Sequence, residues 1–207
     1  MRTKSDAKRQ AIIDVAAQTF RELGFERTSM SEICARVGGS KATLYNHFPS
    51  KEELFLQVMF QETEDEFEAI HACLDLTSDS VAEILIEFGR RLLRLIYSPE
   101  VLPVRRLVVA ESGRSGLGAL VYEKGPKRNH AMLSEYLRVA MSQGKLRVAE
   151  AGVAAWHLIA LLQAELHERF LLCTEEVLRE DDIQAYTQRA IEVFMLAYGP
   201  RPSKGCS

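Results

Sequence analysis

Apolar residues recur at steps of three and four along almost the whole chain, and alternating strand-like runs are nearly absent. Ile12, Ala16, Phe20 and Leu23 form one stripe that stops at Gly24, a natural residue for ending a helix. The stretch "SMSE", Ser29 to Glu32, has the spacing of a capping box: the serine accepts from the third amide and the glutamate returns to the serine's own amide. It predicts a second short helix ending near Val37. Gly38 and Gly39 predict a tight turn, Ser40 caps a third helix from Lys41 to about Phe48, and Pro49 cannot continue it. Another capping box, Ser50 to Glu53, opens a fourth helix that carries Leu54, Phe55, Val58 and Met59 and runs towards Leu74. Beyond a polar joint at 77–79, further helices are predicted over 81–97, 101–123, 127–143, 150–172 and 181–198, with glycines 113, 116 and 118 as breakers within the 101–123 segment. The pattern predicts an all-α chain: an N-terminal three-helix unit containing a helix-turn-helix over 1–52, helix four (about 51–74) connecting, and a larger helical domain over 53–207.

The third helix raises a physical question, because a helix of two turns is too short to stabilise itself in water. Leu44 and Phe48 are four apart and share a face, so the predicted anchor is that pair, packed on the stripe of the first helix and on Ile33 and Val37 of the second. Lys41, Thr43, Tyr45, Asn46 and His47 then remain outside, with donors and acceptors suited to phosphates and base edges. The major groove of DNA admits one helix and presents a distinct pattern for each base pair. In that setting Lys41 suits a guanine edge or a phosphate, Thr43 a thymine methyl, and Asn46 an adenine edge. Tyr45 and His47 suit phosphate oxygens, and Lys51, in the first turn of helix four, suits a phosphate clamp.

Charge supports this division once it is split along the chain. Residues 1–51 hold nine Lys/Arg against five Asp/Glu, a net +4 within a chain of net charge −3, which leaves −7 on the rest. A basic head on an acidic body is the distribution of a nucleic-acid-binding module. No apolar run reaches the roughly 18 residues of a membrane span, and the basic N-terminus has no apolar segment behind it, so no membrane partner and a cytoplasmic location are expected. Cys34, Cys73, Cys173 and Cys206 are widely spaced without a CxxC pair, which predicts reduced thiols rather than a disulfide framework or zinc site. No cofactor or metal is expected either: "GRSGLG" at 113–118 lacks the GK[ST] of a phosphate loop, and His157, Glu165, His167 and Glu168 lack ligand spacing on one helix. Cys34 beside Arg36 is a candidate redox thiol or an inert buried cysteine. No catalytic constellation is visible, so an enzyme is not expected.

The span from Ile12 to Phe55 closely resembles the DNA-binding domain of the TetR family of bacterial transcriptional regulators. The shared pattern lies at Leu23-Gly24-Phe25, Thr28-Ser29, Gly38-Gly39-Ser40, "TLYNHF" over 43–48 and "SKEEL" over 50–54. Gly39 departs from the family's usual apolar turn residue, and Val37 from its usual alanine. The resemblance implies DNA contacts at Ser29, Ser31, Lys41, Thr43, Tyr45, Asn46, His47 and Lys51. In the body, "SPEVLPVRRLVVAES", "YEKGPKRNHAMLSEYL" and "GKLRV" look similar to the C-terminal domain of AefR-like and AcrR-like members, which implies a ligand-receiving, dimer-forming domain.

Independent of that resemblance, 153–172 and 183–197 have apolar faces wider than one partner requires, which predicts a homodimer through a four-helix seam, or else a fully buried core helix in a monomer. Dimerisation would set two recognition helices about 34 Å apart on a palindromic double-stranded operator. A small, largely apolar effector is expected in a pocket of the body, with candidate lining residues Phe88, Tyr97, Arg105, Arg106, Tyr122, Met132, Trp156, His157 and Gln163. Its occupancy is expected to tilt helix four. The expected function is thus a ligand-responsive regulator, a repressor; the alternative from another class is an all-α small-molecule-binding or enzymatic protein without DNA binding.

Overall fold

The computed structural model describes residues 4–75, 77, 80–113, 116–172 and 178–200. Among these the chain is helical and contains no strand: α1 Lys4–Arg27, α2 Met30–Val37, α3 Lys41–His47, α4 Lys51–Ala72, α5 Val81–Ile96, α6 Val101–Glu111, α7 Leu117–Lys124, α8 Pro126–Ser142, α9 Ala151–Gln163, α10 His167–Leu171 and α11 Glu180–Tyr198. It divides into two compact units, Met1–Glu64 and Asp65–Ser207. The division falls inside α4, later than the 52/53 boundary drawn from the sequence. The reason is packing: Leu54 and Val58 of α4 are buried in the core of the first unit, while Ile70 is buried in that of the second.

In the first unit, Ile12, Ala16 and Phe20 of α1, Ile33 of α2, and Leu44 and Phe48 around α3 form one apolar core. Gly24 breaks α1 at φ 77°, ψ 162°, a backbone conformation that only glycine adopts without strain, and one further turn follows to Arg27. Gly38 closes α2 in the left-handed region at φ 69°. The serine halves of both capping boxes form, Glu32 N to Ser29 Oγ and Glu53 N to Ser50 Oγ, each at 3.1 Å. The reciprocal half at Ser29 is replaced: Glu32 turns to Arg36 Nε at 2.8 Å, and Arg36 also reaches Glu22 of α1. An i,i+4 ion pair within α2, itself anchored to α1 through Glu22, thus competes away a local hydrogen bond.

In the second unit, α5 packs with α9 and α11 around Leu85, Phe88, Leu158, Leu162, Ile191 and Phe194. The closest approach is at Gly89, where a Cβ would meet Leu162 Cδ2 at 2.6 Å and Thr187 Cγ2 at 2.9 Å. The predicted 101–123 segment is divided by a glycine-containing stretch, as its composition suggests. The predicted 150–172 helix is also divided, and this break carries no glycine or proline. Ala164 N and Leu166 N bond three residues back, to Leu161 O and Gln163 O, and the tightened turn redirects the chain so that Leu166 and Phe170 both become buried.

The N-terminus of α11 is tied to α5 through Glu180, which accepts from Arg90 Nη2 at 3.0 Å and Arg94 Nε at 2.8 Å. Hydrogen bonds from the two guanidiniums pull the Glu180 pKa down to about 2. A carboxyl whose pKa is lower folded than unfolded stabilises the fold above its unfolded value of 4.5 and loses that contribution as pH falls towards 2. The side chain is half exposed, so screening limits the effect to about 0.5–1 kcal/mol. Glu180→Gln is expected to lower the unfolding free energy by that amount at pH 7 and by progressively less as pH falls from 4.5 through about 2. A constant difference across pH, in parallel denaturant titrations, would refute this linkage.

Candidate functional site

The recognition helix α3 begins at Ser40, whose Oγ accepts from Thr43 N at 3.1 Å and lies 2.9 Å from Thr43 Oγ1. Leu44 is 3% exposed and Phe48 0%, so the short helix is fixed through these two side chains. Arg9 of α1 covers the outer face of the Phe48 ring at 5.0 Å and donates to Gln57 of α4 at 3.0 Å. The opposite face is open: Lys41 and Asn46 are exposed, Tyr45 is 48% exposed, and Thr43 and His47 are half-buried. Ser29 and Ser31 at the start of α2 are also exposed. Seven of the eight candidate contacts lie in α2, α3 or the α2 cap, and the eighth, Lys51, is the first residue of α4.

Three of them carry a structural duty as well. Ser29 caps α2, and the Thr43 hydroxyl is engaged with Ser40, which leaves its methyl as the outward group. Lys51 is more committed than a phosphate clamp needs to be: Nζ donates to Phe25 O at 2.9 Å and sits 4.2 Å from the centroid of the Phe25 ring. It shares the Phe25 carbonyl with Thr28 N, which donates to the same oxygen at 3.3 Å, and two of its three N–H groups remain for an anion. Phe25 in turn packs on Phe55 of α4 at 4.8 Å. Cys34 is buried and its thiol donates to Gly39 O at 3.2 Å, across the turn before α3. That arrangement, with Arg36 held by two glutamates, makes it a structural link rather than an exposed redox thiol. Cys73 is half-buried, and burial pushes its thiol up to about 11. Cys173 and Cys206 lie outside the described residues.

The candidate effector residues do not form one group. Tyr97, Arg105, Arg106 and Gln163 come together: Arg105 donates to Ile96 O at 3.0 Å and Gln163 Oε1 at 3.2 Å, lies 5.0 Å over the Tyr97 ring, and Arg106 Nε donates to Phe170 O at 2.9 Å. Phe88 is fully buried core, edge-on to His71 at 5.9 Å. Tyr122, Met132 and Trp156 are 46%, 38% and 42% exposed and lie on other surfaces. Trp156 stacks on His130 at 4.1 Å, and His157 Nδ1 lies 2.6 Å from the Tyr198 hydroxyl. Phe170, which was not a candidate from the sequence, and His167, weighed there only as a metal ligand, join the Tyr97 group because of the turn between α9 and α10. No local signal marks that turn.

Sequence and structure comparisons agree with this geometry. Residues 12–58 match the family described as bacterial regulatory proteins, tetR family. Residues 83–200, more than half of the chain, match the domain described as AefR-like transcriptional repressor, C-terminal domain. The chain belongs to the TetR family of transcriptional regulators. Among solved structures, a TetR-family transcriptional regulator from Mesorhizobium loti MAFF303099 superposes with a TM-score of 0.79 at 29% identity, covering 96% of this chain and 100% of that one. The flavonoid-responsive regulator FrrA gives 0.69 at 31% identity, covering 95% and 99%. The regulator UidR of Escherichia coli K12 is 35% identical over 101 residues, 45% of this chain and 51% of UidR, so this chain spans about half the length of that curated relative. As a TetR-family regulator it carries a DNA-binding head, and no helix among the described residues is long and apolar enough to cross a membrane.

Proposed function

We propose that this TetR-family regulator is a homodimeric repressor that releases a palindromic operator when a small effector occupies its C-terminal domain. The observation that carries the DNA-binding part is the two-faced α3, with Leu44 and Phe48 buried and Lys41, Tyr45 and Asn46 presented outward. Repression is supported by the AefR-like repressor match, and ligand response by the likeness to flavonoid-responsive FrrA. Dimerisation is supported by a strip of exposed apolar side chains on α9 and α11: Val153 at 46%, Trp156 at 42%, Val193 at 50% and Leu196 at 90%. Single apolar side chains on a surface are ordinary, but a strip along two adjacent helices marks an interaction face. Helix α4 supplies residues to both cores, so an effector that shifts its C-terminal turns acts on the element that also carries Leu54 and Val58.

Sequencing of DNA fragments retained by the purified protein tests this reading. A palindromic site should emerge, with affinity falling steeply as salt rises, because each phosphate contact releases counterions. Tyr45→Phe should weaken binding to all sequences alike, whereas Asn46→Ala should relax preference at one base pair by about 1–3 kcal/mol. Equal loss on every sequence in both variants would overturn the assignment of Asn46 to base reading. Absence of duplex retention at low ionic strength would overturn the function itself.

A further inference from the structure

The C-terminal end of α5, the middle of α6 and α10 enclose a small void of about 40 Å³ lined by Tyr97, Leu102, Arg105, Arg106, His167 and Phe170. Its walls are apolar, but two guanidiniums stand in them. On the neighbouring α5, Arg90, Arg91 and Arg94 are each paired with a glutamate. Arg105 and Arg106 are half-buried and, among the described residues, have no carboxylate partner; their nitrogens go to the neutral oxygens of Ile96, Gln163 and Phe170. Two partly desolvated positive charges with no counter-ion among the described residues favour an anion beside them. A second observation points the same way. Tyr97 is 4% exposed, and its hydroxyl oxygen is buried with no hydrogen-bond partner. Burial raises the Tyr97 pKa and Arg105 only partly offsets this, so the phenol is a neutral donor at physiological pH.

Tyr97 also forms one wall of a larger neighbouring cleft of about 190 Å³ between α5 and α11, where Leu93, Pro99, Leu178 and Ile183 supply an apolar lining beside the Arg94–Glu180 ion pair. A charged subsite sized for one small group therefore adjoins, across a single aromatic ring, a cleft with one apolar side whose only carboxylate among the described residues is neutralised by arginine. We propose that this region binds an amphipathic organic acid, its carboxylate held by Arg105 and the Tyr97 hydroxyl and its apolar body in the adjoining cleft. The assignment rests on the reading of the chain as an effector-responsive regulator and narrows the effector from a largely apolar molecule to an anion with an apolar body. Arg106, spent on Phe170 O, contributes charge and holds α10 against the site.

Calorimetric titration of the full-length protein with 2-naphthoate and with its uncharged isostere 2-naphthamide tests the proposal. The acid should bind about tenfold or more tightly than the amide, because only the acid brings a negative charge and a second acceptor oxygen to the guanidinium. Tyr97→Phe, which removes one oxygen and keeps the ring, should weaken the acid several-fold and leave the amide unchanged. Arg105→Gln should abolish the discrimination, and Arg105→Lys should restore part of it, with thermal melts verifying that each variant is folded. Equal affinity for acid and amide, no heat from the acid at millimolar concentration, or unchanged acid binding in Tyr97→Phe would each overturn the proposal. Duplex retention, measured on the same preparations without acid, separates the two readings. Acid binding without duplex retention sinks the regulator and leaves the anion site standing, and the reverse outcome does the opposite.

Discussion

Phe48→Ala is expected to unfold the N-terminal unit selectively and to abolish DNA retention, although the ring touches no DNA in the proposed mode. Phe48 is fully buried in a core of about a dozen side chains, and truncation of a buried phenylalanine costs about 3–5 kcal/mol. Such a loss is most or all of the stability of a domain this small. It also removes the surface on which Arg9 rests. The chain's one tryptophan, Trp156, belongs to the second unit, so its fluorescence and far-ultraviolet circular dichroism report different parts of the molecule. In Phe48→Ala the dichroism should show an early transition that fluorescence does not follow. Phe48→Leu, which keeps most of the buried volume, should remove the early transition and restore DNA retention. A Phe48→Ala protein that still melts like wild type and binds duplex would show that α3 is held by something other than its two apolar anchors.

Gly89→Ala should destabilise the second unit by about 1–3 kcal/mol, the usual cost of forcing a methyl group into a filled core. The added Cβ would stand 2.6 Å from Leu162 Cδ2 and 2.9 Å from Thr187 Cγ2, so α5 must retreat from α9 and α11 together or two side chains must shift. Leu162 has rotamers to spend; Thr187, fully buried and β-branched, has few. The Trp156 fluorescence transition should therefore move to lower denaturant while the N-terminal unit keeps its DNA affinity per folded molecule. Gly89→Ala combined with Leu162→Ala gives the methyl group room, and the pair should be less destabilised than the sum of its members, a coupling expected only for side chains in contact. Strict additivity would mean that the close approach at Gly89 carries no energetic weight.

How far each region is readable from sequence follows from what terminates its helices. In the N-terminal unit the punctuation is local: Gly24 and Gly38 take positive φ, Ser29, Ser40 and Ser50 cap, and Pro49 stops α3. Each device acts within four residues, so the order of α1 to α3 and the bounds of α2 and α3 were legible to within a residue or so, while α1 runs one turn past the predicted stop at Gly24. The reciprocal glutamate of the first capping box was not, because Glu32 responds to Arg36, and Arg36 is held in turn by Glu22 on another helix. In the second unit the decisive break, at 164–166, has no breaker residue; burial of Leu166 and Phe170 drives it. Residues chosen there by side-chain type scattered accordingly. Tyr97, Arg105 and Gln163 met where α5, α6 and α9 come together and the fold-back added His167 and Phe170, Phe88 was absorbed into the core, and Tyr122, Met132 and Trp156 came out on the surface.

The clasp of Lys51 onto the Phe25 carbonyl, together with the contact between the Phe25 and Phe55 rings, brings the chain back at the start of α4 to where it left α1. Everything between is an excursion fastened at both feet. Substitutions at Lys41, Ala42, Tyr45 or Asn46 alter the lettering on its outer side without loosening either fastening. In the proposed binding mode, a lineage of such proteins can therefore drift from one target sequence to another through changes at a handful of positions, with no intermediate that has to solve the folding problem again.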